Sequence, residues 1–78
     1  MRLIIDEALL RAGFASDRAL HRAGGPAPET MRILRREGRA LRRDAVERLA
    51  RMLARSPRFA ARLVDATIAQ VRAGGGAS

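Results

Sequence analysis

The chain contains no cysteine, tryptophan, tyrosine or lysine, and its single histidine is His21. Without cysteine it can form neither a disulfide framework nor a cysteine-based zinc site, and one histidine cannot build a histidine cluster. We therefore expect no metal and no cofactor, and apolar packing alone must hold the fold. The absence of cysteine also suits a reducing, cytoplasmic setting.

Aromatic residues are limited to Phe14 and Phe59. This argues against binding of single strands, because such proteins stack bases on aromatic side chains. No apolar run approaches the roughly 18 residues that a membrane span needs, and Asp6 and Glu7 come too early for a secretory signal peptide. We expect a soluble protein that is not exported and has no membrane partner.

Residues suited to catalysis are also scarce. Asp6 and Glu7 are adjacent, so on a helix they diverge by about 100° and cannot act as a carboxylate pair. His21 stands next to Arg22, a position typical of an exposed helix face. The Gly24-Gly25-Pro26 segment lacks the spacing and the preceding strand of a phosphate-binding loop. We predict no catalytic residues and no enzyme.

Arginine, by contrast, is concentrated in the middle of the chain. The net charge of +8 arises entirely within residues 32–62, which hold eleven arginines against three acids, whereas residues 1–31 and 63–78 each sum to zero. A genome rich in guanine and cytosine would explain arginine in place of lysine, but not this clustering. A dense positive field attracts polyanions, and guanidinium grips phosphate or a guanine edge with two hydrogen bonds. Nucleic acid is therefore the first partner to consider.

The composition favours an all-α fold. Ala, Leu and Arg are strong helix formers, and no alternating β-branched run occurs. The chain of 78 residues is long enough for one small domain, which we predict to be a compact bundle of about five short helices. Caps and apolar spacing place these helices at residues 2–12, 16–23, 28–38, 44–55 and 57–72.

The course of the chain after Gly38 decides between a bundle and one long helix over residues 28–55. The apolar stripe changes phase beyond Leu41, and Asp44 with Glu47 has the layout of a capping box. Both signals predict that Gly38 is a left-handed C-cap and that a new helix starts at Asp44. At the next boundary, Ser56 is the predicted N-cap of the fifth helix.

A short helix, a glycine turn and a second helix with a basic flank are the arrangement of a helix-turn-helix. Residues 30–39 and 44–53 resemble the lambda-repressor-like (Xre-type) DNA-binding family, and the resemblance extends over about residues 9–54. Family members show an early threonine and a closing glycine in the recognition helix, matched here by Thr30 and Gly38. They then have a short basic loop and a leucine-rich helix, whose pattern is matched by Val46, Leu49, Ala50 and Leu53.

The resemblance implies that the second helix crosses the DNA backbone and that the third enters the major groove. The side chains expected at base edges are Ala27, Glu29, Thr30 and Arg32. Those expected on phosphate are Arg18, Arg35, Arg36, Arg39, Arg42 and Arg43. For each arginine, a solvated helix face is the alternative.

The chain is divided into a helix-turn-helix core at residues 1–55, a C-terminal helix at 56–73 and a glycine-rich tail or linker at 74–78. The C-terminal helix folds back onto the core or pairs with a second copy, and the two arrangements are not exclusive. Its dimerisation candidates are Phe59, Leu63, Val64, Ile68 and Val71. A homodimer is expected, because a monomeric reader of one half-site gains little specificity.

The expected function is sequence-specific binding of double-stranded DNA by a small, nucleoid-associated transcriptional regulator or repressor. One alternative is a helical protein-interaction module, such as an antitoxin-like inhibitor or adaptor, with an acidic protein partner. Another is a sequence-blind, nucleoid-type DNA binder. Binding to a duplex weakens steeply with salt, whereas a protein interface centred on apolar anchors weakens less.

Overall fold

The structure, a computed structural model, describes residues 2–74. Within these residues it contains five helices and no strand: α1 (Ile4–Arg11), α2 (Asp17–Arg22), α3 (Pro28–Glu37), α4 (Arg43–Leu53) and α5 (Pro57–Arg72). The predicted all-α class is confirmed. The helices form a bundle measuring 29 × 23 × 21 Å. Most of the predicted tail, residues 75–78, lies outside the described residues.

Helix α5 is the centre of the bundle and contacts α1, α3 and α4. Two of its residues, Val64 and Val71, are buried in the common core. The other large core side chains come from all four remaining helices and include Ile5, Leu20, Met31, Leu34 and Leu49. Burial of each such side chain stabilises the fold by about 1.5–3 kcal/mol. The C-terminal helix thus folds back onto the core, which is one of the two arrangements expected from the sequence.

The start of α1 depends on contacts with α5. Leu3 stands at the N-cap and supplies no side-chain hydrogen bond. Instead, the backbone N–H of Ile4 donates to Oε1 of Gln70 at 2.7 Å, and that of Ile5 donates to Oγ1 of Thr67 at 3.1 Å. Thr67 is fully buried. Because both acceptors come from the far end of the chain, local sequence could not fix the first residue of this helix.

Helices α2 and α5 begin directly after the serines that the sequence predicts as N-caps. The Ser16 hydroxyl accepts from the N–H of Ala19, and the Ser56 hydroxyl accepts from the N–H of Phe59, each at 3.1 Å. Such caps contribute about 1 kcal/mol each, because they satisfy a helix donor that has no other partner. The predicted N-cap at Ser56 is confirmed, with Pro57 in the first turn of α5.

The predicted break after α3 is confirmed. Gly38 has the left-handed conformation, with φ 61° and ψ 36°, and its N–H donates to the Leu34 carbonyl at 3.0 Å. A Cβ at this position would lie 3.3 Å from both Cγ1 of Val71 and Cγ of Arg72. Glycine therefore serves both the turn and the close approach of α5, and one helix over residues 28–55 is excluded.

The predicted bounds of α4 are wrong at both ends. The helix begins at Arg43 with Arg42 as N-cap and no side-chain cap, so Asp44 lies inside the first turn and the capping box is absent. The helix ends at Leu53, because Ala54 adopts φ 56° and ψ 41°. The N–H groups of Ala54 and Arg55 donate to the carbonyls of Arg51 and Ala50. This is the hydrogen-bond pattern of a Schellman motif, with alanine where glycine is usual.

The turn from α2 into α3 is tight because Gly25 packs directly on Leu20. A Cβ on Gly25 would lie 2.7 Å from Cγ and 2.9 Å from the carbonyl oxygen of Leu20. The N–H of Gly25 donates to that carbonyl at 2.9 Å, and Nδ1 of His21 lies 3.1 Å from the carbonyl oxygen of Gly25. These contacts bring the start of α3 directly after the end of α2, and the two helices touch.

Candidate nucleic-acid interface

Helix α3 has one buried and one exposed face. Met31 and Leu34 are fully buried, whereas Glu29 and Arg32 point to solvent with side chains 62% and 59% exposed. The helical period of 3.6 residues produces this division. Two of the four expected base-edge residues therefore lie on an open surface at the beginning of α3.

Thr30 stands at the edge of this face. It lines a groove of about 470 Å³ between α3 and the loop that leads to α4. Arg39, Arg42 and Asp44 also line the groove, which therefore carries two guanidinium groups and one carboxylate. The structure thus brings one expected base-edge residue together with two of the expected phosphate-binding arginines, which are 9 and 12 positions further along the chain.

Ala27, the fourth expected base-edge residue, is the N-cap of α3 and is half-buried. Its carbonyl accepts the first helical hydrogen bond, from the N–H of Met31 at 3.2 Å. Its side chain is a methyl group, which can contribute to recognition by apolar contact. Ala27 lies beside exposed Pro28, at the same end of α3 as Glu29 and Thr30.

Glu29 and Arg32 form an ion pair on the exposed face of α3. Oε1 of the carboxylate accepts a hydrogen bond from Nη2 of the guanidinium. This hydrogen bond, followed by the charge of Arg32, lowers the pKa of Glu29. The same two contacts raise the pKa of Arg32. Both groups are therefore charged at neutral pH, and they present an acceptor and donors side by side.

Arg35 connects three helices. Its Nη1 and Nη2 donate to the two carboxylate oxygens of Asp17 at 2.6 and 2.7 Å, and its Nε donates to Oδ1 of Asp6 at 2.9 Å. The hydrogen bonds to Asp17 are the main reason that the pKa of Arg35 is raised. These contacts occupy the guanidinium, so Arg35 is a structural residue, and we leave it out of the phosphate-binding set proposed below.

The remaining phosphate candidates are all exposed. Within residues 2–74, no acidic side chain lies within 4.0 Å of those at four positions: Arg18, Arg36, Arg42 and Arg43. Arg39 is also exposed, but its Nη2 lies 2.8 Å from Oε1 of Glu37. Four arginines therefore have no ion-pair partner in this part of the chain, whereas the charge of Arg39 is partly neutralised by Glu37.

The dimerisation candidates on α5 divide into two groups. Val64 and Val71 are buried in the core of their own chain and cannot reach a second copy while the bundle stays folded. Phe59, Leu63 and Ile68 are half-buried, and the last two pack against the same core. Phe59 and Leu63 also line a groove of about 440 Å³ with residues of α1 and the end of α4. These three keep part of their surface open to a partner.

The triad of Asp6, Asp17 and Arg35 is the feature that sequence reasoning missed. Its members come from three helices, and no spacing rule connects positions 6, 17 and 35. The available signal was the placement of Arg35 four residues after buried Met31, which puts both residues on the same side of α3. The clustering of arginines concealed this difference from its neighbour Arg36.

Comparison with protein-family models, with curated proteins and with solved structures finds no match to this chain. Among residues 2–74, no group of three or more His, Cys, Asp or Glu side chains is arranged to hold a metal ion. No helix in the described part of the chain has the length and apolar character to cross a membrane. Functional inference therefore rests on the chemistry of the exposed surfaces.

Proposed function

We propose that this protein binds double-stranded DNA in a sequence-dependent manner, as a small cytoplasmic, nucleoid-associated transcriptional regulator. In this proposal α2 and α3 act as a helix-turn-helix, and the first turns of α3 enter the major groove. The observation that carries it is the groove that Thr30 lines together with Arg39 and Arg42. That arrangement combines a candidate base contact with candidate phosphate contacts on one surface.

The proposed phosphate-binding residues supply the electrostatic part of the affinity. They are Arg18, Arg36, Arg39, Arg42 and Arg43, all of them exposed. Each phosphate that is neutralised releases counterions, which lowers the slope of log K against log salt by about 0.9. If all five arginines contact phosphate, the slope is about −4 to −5.

A second candidate function, sequence-blind coating of a duplex, is favoured by one specific observation. Arginines without an ion-pair partner in residues 2–74 also lie on the outer surfaces of α4 and α5, among them Arg48, Arg51 and Arg62. Such a distribution suits contacts with phosphate on several sides of the molecule. Sequence preference separates the two functions, because a coater has none.

The decisive experiment is selection from random duplexes on the purified protein, followed by titrations at two salt concentrations. Arg42→Ala should weaken binding to preferred and scrambled duplexes alike and reduce the salt slope by about one. Arg62→Ala is the matched control, since it removes the same charge from α5, outside the proposed interface. It should leave the ratio between the two duplexes unchanged and affect the slope less.

The same experiment distinguishes the other outcomes. Salt-dependent binding without a selected motif would make the protein a sequence-blind coater. Absence of duplex binding would leave the interaction module with an acidic protein partner as the better account. A motif with two symmetric half-sites would support the expected homodimer. Substitution of Phe59 or Leu63 by serine should then weaken dimer formation, as measured by sedimentation.

A further inference from the structure

We infer that Glu29 and Arg32 act as one recognition unit that reads a cytosine and a guanine lying side by side in the major groove. The inference rests on the proposed function, because it names the bases that the first turns of α3 would recognise. It goes further by assigning one base type to each of the two side chains.

The geometry of the pair leaves the atoms needed for recognition free. The residues are three positions apart on one helix face, and the contact between them uses Oε1 of Glu29 and Nη2 of Arg32. Within residues 2–74, neither Oε2 of Glu29 nor Nε and Nη1 of Arg32 has a hydrogen-bond partner, and Nη2 uses only one of its two hydrogens. The second Nη2 hydrogen forms a two-donor fork with either Nη1 or Nε. An acceptor and a pair of donors thus stand next to each other, exposed to solvent.

These free atoms complement a cytosine and a guanine. Guanine offers the acceptors N7 and O6 in the major groove, which arginine contacts with two hydrogen bonds. Cytosine offers the N4 amino group, a donor that a carboxylate accepts. An ionised carboxylate is an acceptor only, so Glu29 cannot satisfy a base that presents nothing but acceptors. The two bases lie in neighbouring base pairs, one for each side chain.

The ion pair also makes a carboxylate acceptable near DNA. A lone glutamate at this position would be repelled by the phosphates, whereas Arg32 and the nearby charge of Arg36 offset its negative charge. In return, Glu29 holds the guanidinium in one orientation, which reduces the side-chain entropy lost on binding. An ion pair three positions apart also stabilises the helix itself. Loss of affinity alone could therefore reflect a weakened helix, so the test must measure base preference.

The experiment compares the duplexes selected by the wild-type protein, Glu29→Gln, Arg32→Ala and Glu37→Gln. Glu37→Gln is the matched control, since Glu37 is exposed, lies in the last turn of α3 and forms its own ion pair with Arg39. Both glutamine variants lose one negative charge and one ion pair. Circular dichroism of each variant confirms that the helices are retained.

We expect the wild-type motif to contain adjacent cytosine and guanine. Glutamine contacts adenine at N6 and N7, so Glu29→Gln should replace the cytosine by adenine and lower the preference for cytosine by about tenfold or more. Arg32→Ala should lose the guanine, and Glu37→Gln should keep the wild-type motif. If Glu29→Gln selects the wild-type motif, the inference is wrong and the proposed function stands. If the wild-type protein selects no motif, both fail.

Discussion

Replacement of Arg35 by methionine tests whether the ion-pair triad determines how α1, α2 and α3 are held together. Methionine keeps the apolar stem of the side chain and removes the guanidinium. The carboxylates of Asp6 and Asp17, 30% and 25% exposed, would then lose their cation. Loss of a fully buried partner costs about 3–5 kcal/mol. Partial exposure lets water screen the stranded charges, so we expect a loss of about 2–4 kcal/mol.

A loss of this size is large for a domain of 78 residues, whose total stability is about 4–12 kcal/mol. Urea unfolding followed by circular dichroism measures it directly. Arg36→Met is the matched control, because Arg36 is the next residue on α3, is exposed and has no ion-pair partner in residues 2–74. Its substitution should change the stability by less than about 0.5 kcal/mol.

A second substitution tests the physical cause. Asp17→Asn in the Arg35→Met background removes one of the two stranded charges, so part of the lost stability should return. In the wild-type background the same substitution should destabilise, because asparagine offers one acceptor oxygen and no negative charge for the two hydrogen bonds that Arg35 donates to Asp17. If Arg35→Met and Arg36→Met have equal stabilities, the triad does not stabilise the fold and our reasoning is refuted.

Two further predictions concern left-handed residues, and thermal unfolding checks both. Gly38→Ala should destabilise by about 1–2 kcal/mol, since the new Cβ is strained at φ 61° and meets Val71 and Arg72; a gain in stability would contradict the break after α3. Ala54→Gly should stabilise by about 0.5–1 kcal/mol, because glycine adopts φ 56° without strain. A lower melting temperature for this variant would contradict the left-handed end of α4.

The sequence predicted those helix boundaries whose cause is local. Ser16 and Ser56 bond to N–H groups three residues away, and Gly38 closes α3 with a bond to Leu34 four residues back. Short-range patterns carry such signals. The start of α1 was mispredicted, because its N–H groups bond to side chains of α5, more than 60 positions away.

The end of α4 was mispredicted for a different reason. Alanine is a strong helix former, and nothing in the local sequence indicates that Ala54 turns left-handed. Helix α4 ends at Leu53, three residues before Ser56, the N-cap of α5. The turn between them lets α4 and α5 pack against each other. The left-handed strain at Ala54 is therefore compensated by tertiary contacts, which lie beyond any local pattern.

The candidate site was predictable in part. The exposure of Glu29 and Arg32 follows from the apolar period of α3, which buries Met31 and Leu34 on the other face. The groove between Thr30 and the loop after Gly38 could not be predicted, because it depends on the direction in which that loop leaves α3. Likewise, the clustering of arginines predicted that Arg35 binds phosphate as its neighbours do. In the structure Arg35 instead forms ion pairs with Asp6 of α1 and Asp17 of α2.

Ion pairs join acids of the N-terminal part to the basic segment. All four acids of residues 1–31 are paired with arginine. Two of them, Asp6 and Asp17, share Arg35, a member of the basic segment. Within residues 32–62, by contrast, Glu37 is paired, whereas Asp44 and Glu47 have no arginine within 4.0 Å in the part of the chain that is described.

Asp6 and Asp17 are thus neutralised by contacts that hold three helices together, while most of the basic segment keeps its charge in solvent. Arginines placed this close repel one another, which costs the folded state free energy that its core must offset. A bound polyanion would remove that cost by neutralising the charges where they stand. Under our proposal, part of the affinity for DNA is therefore the relief of this repulsion, and base recognition by α3 adds the selectivity that the repulsion itself cannot provide.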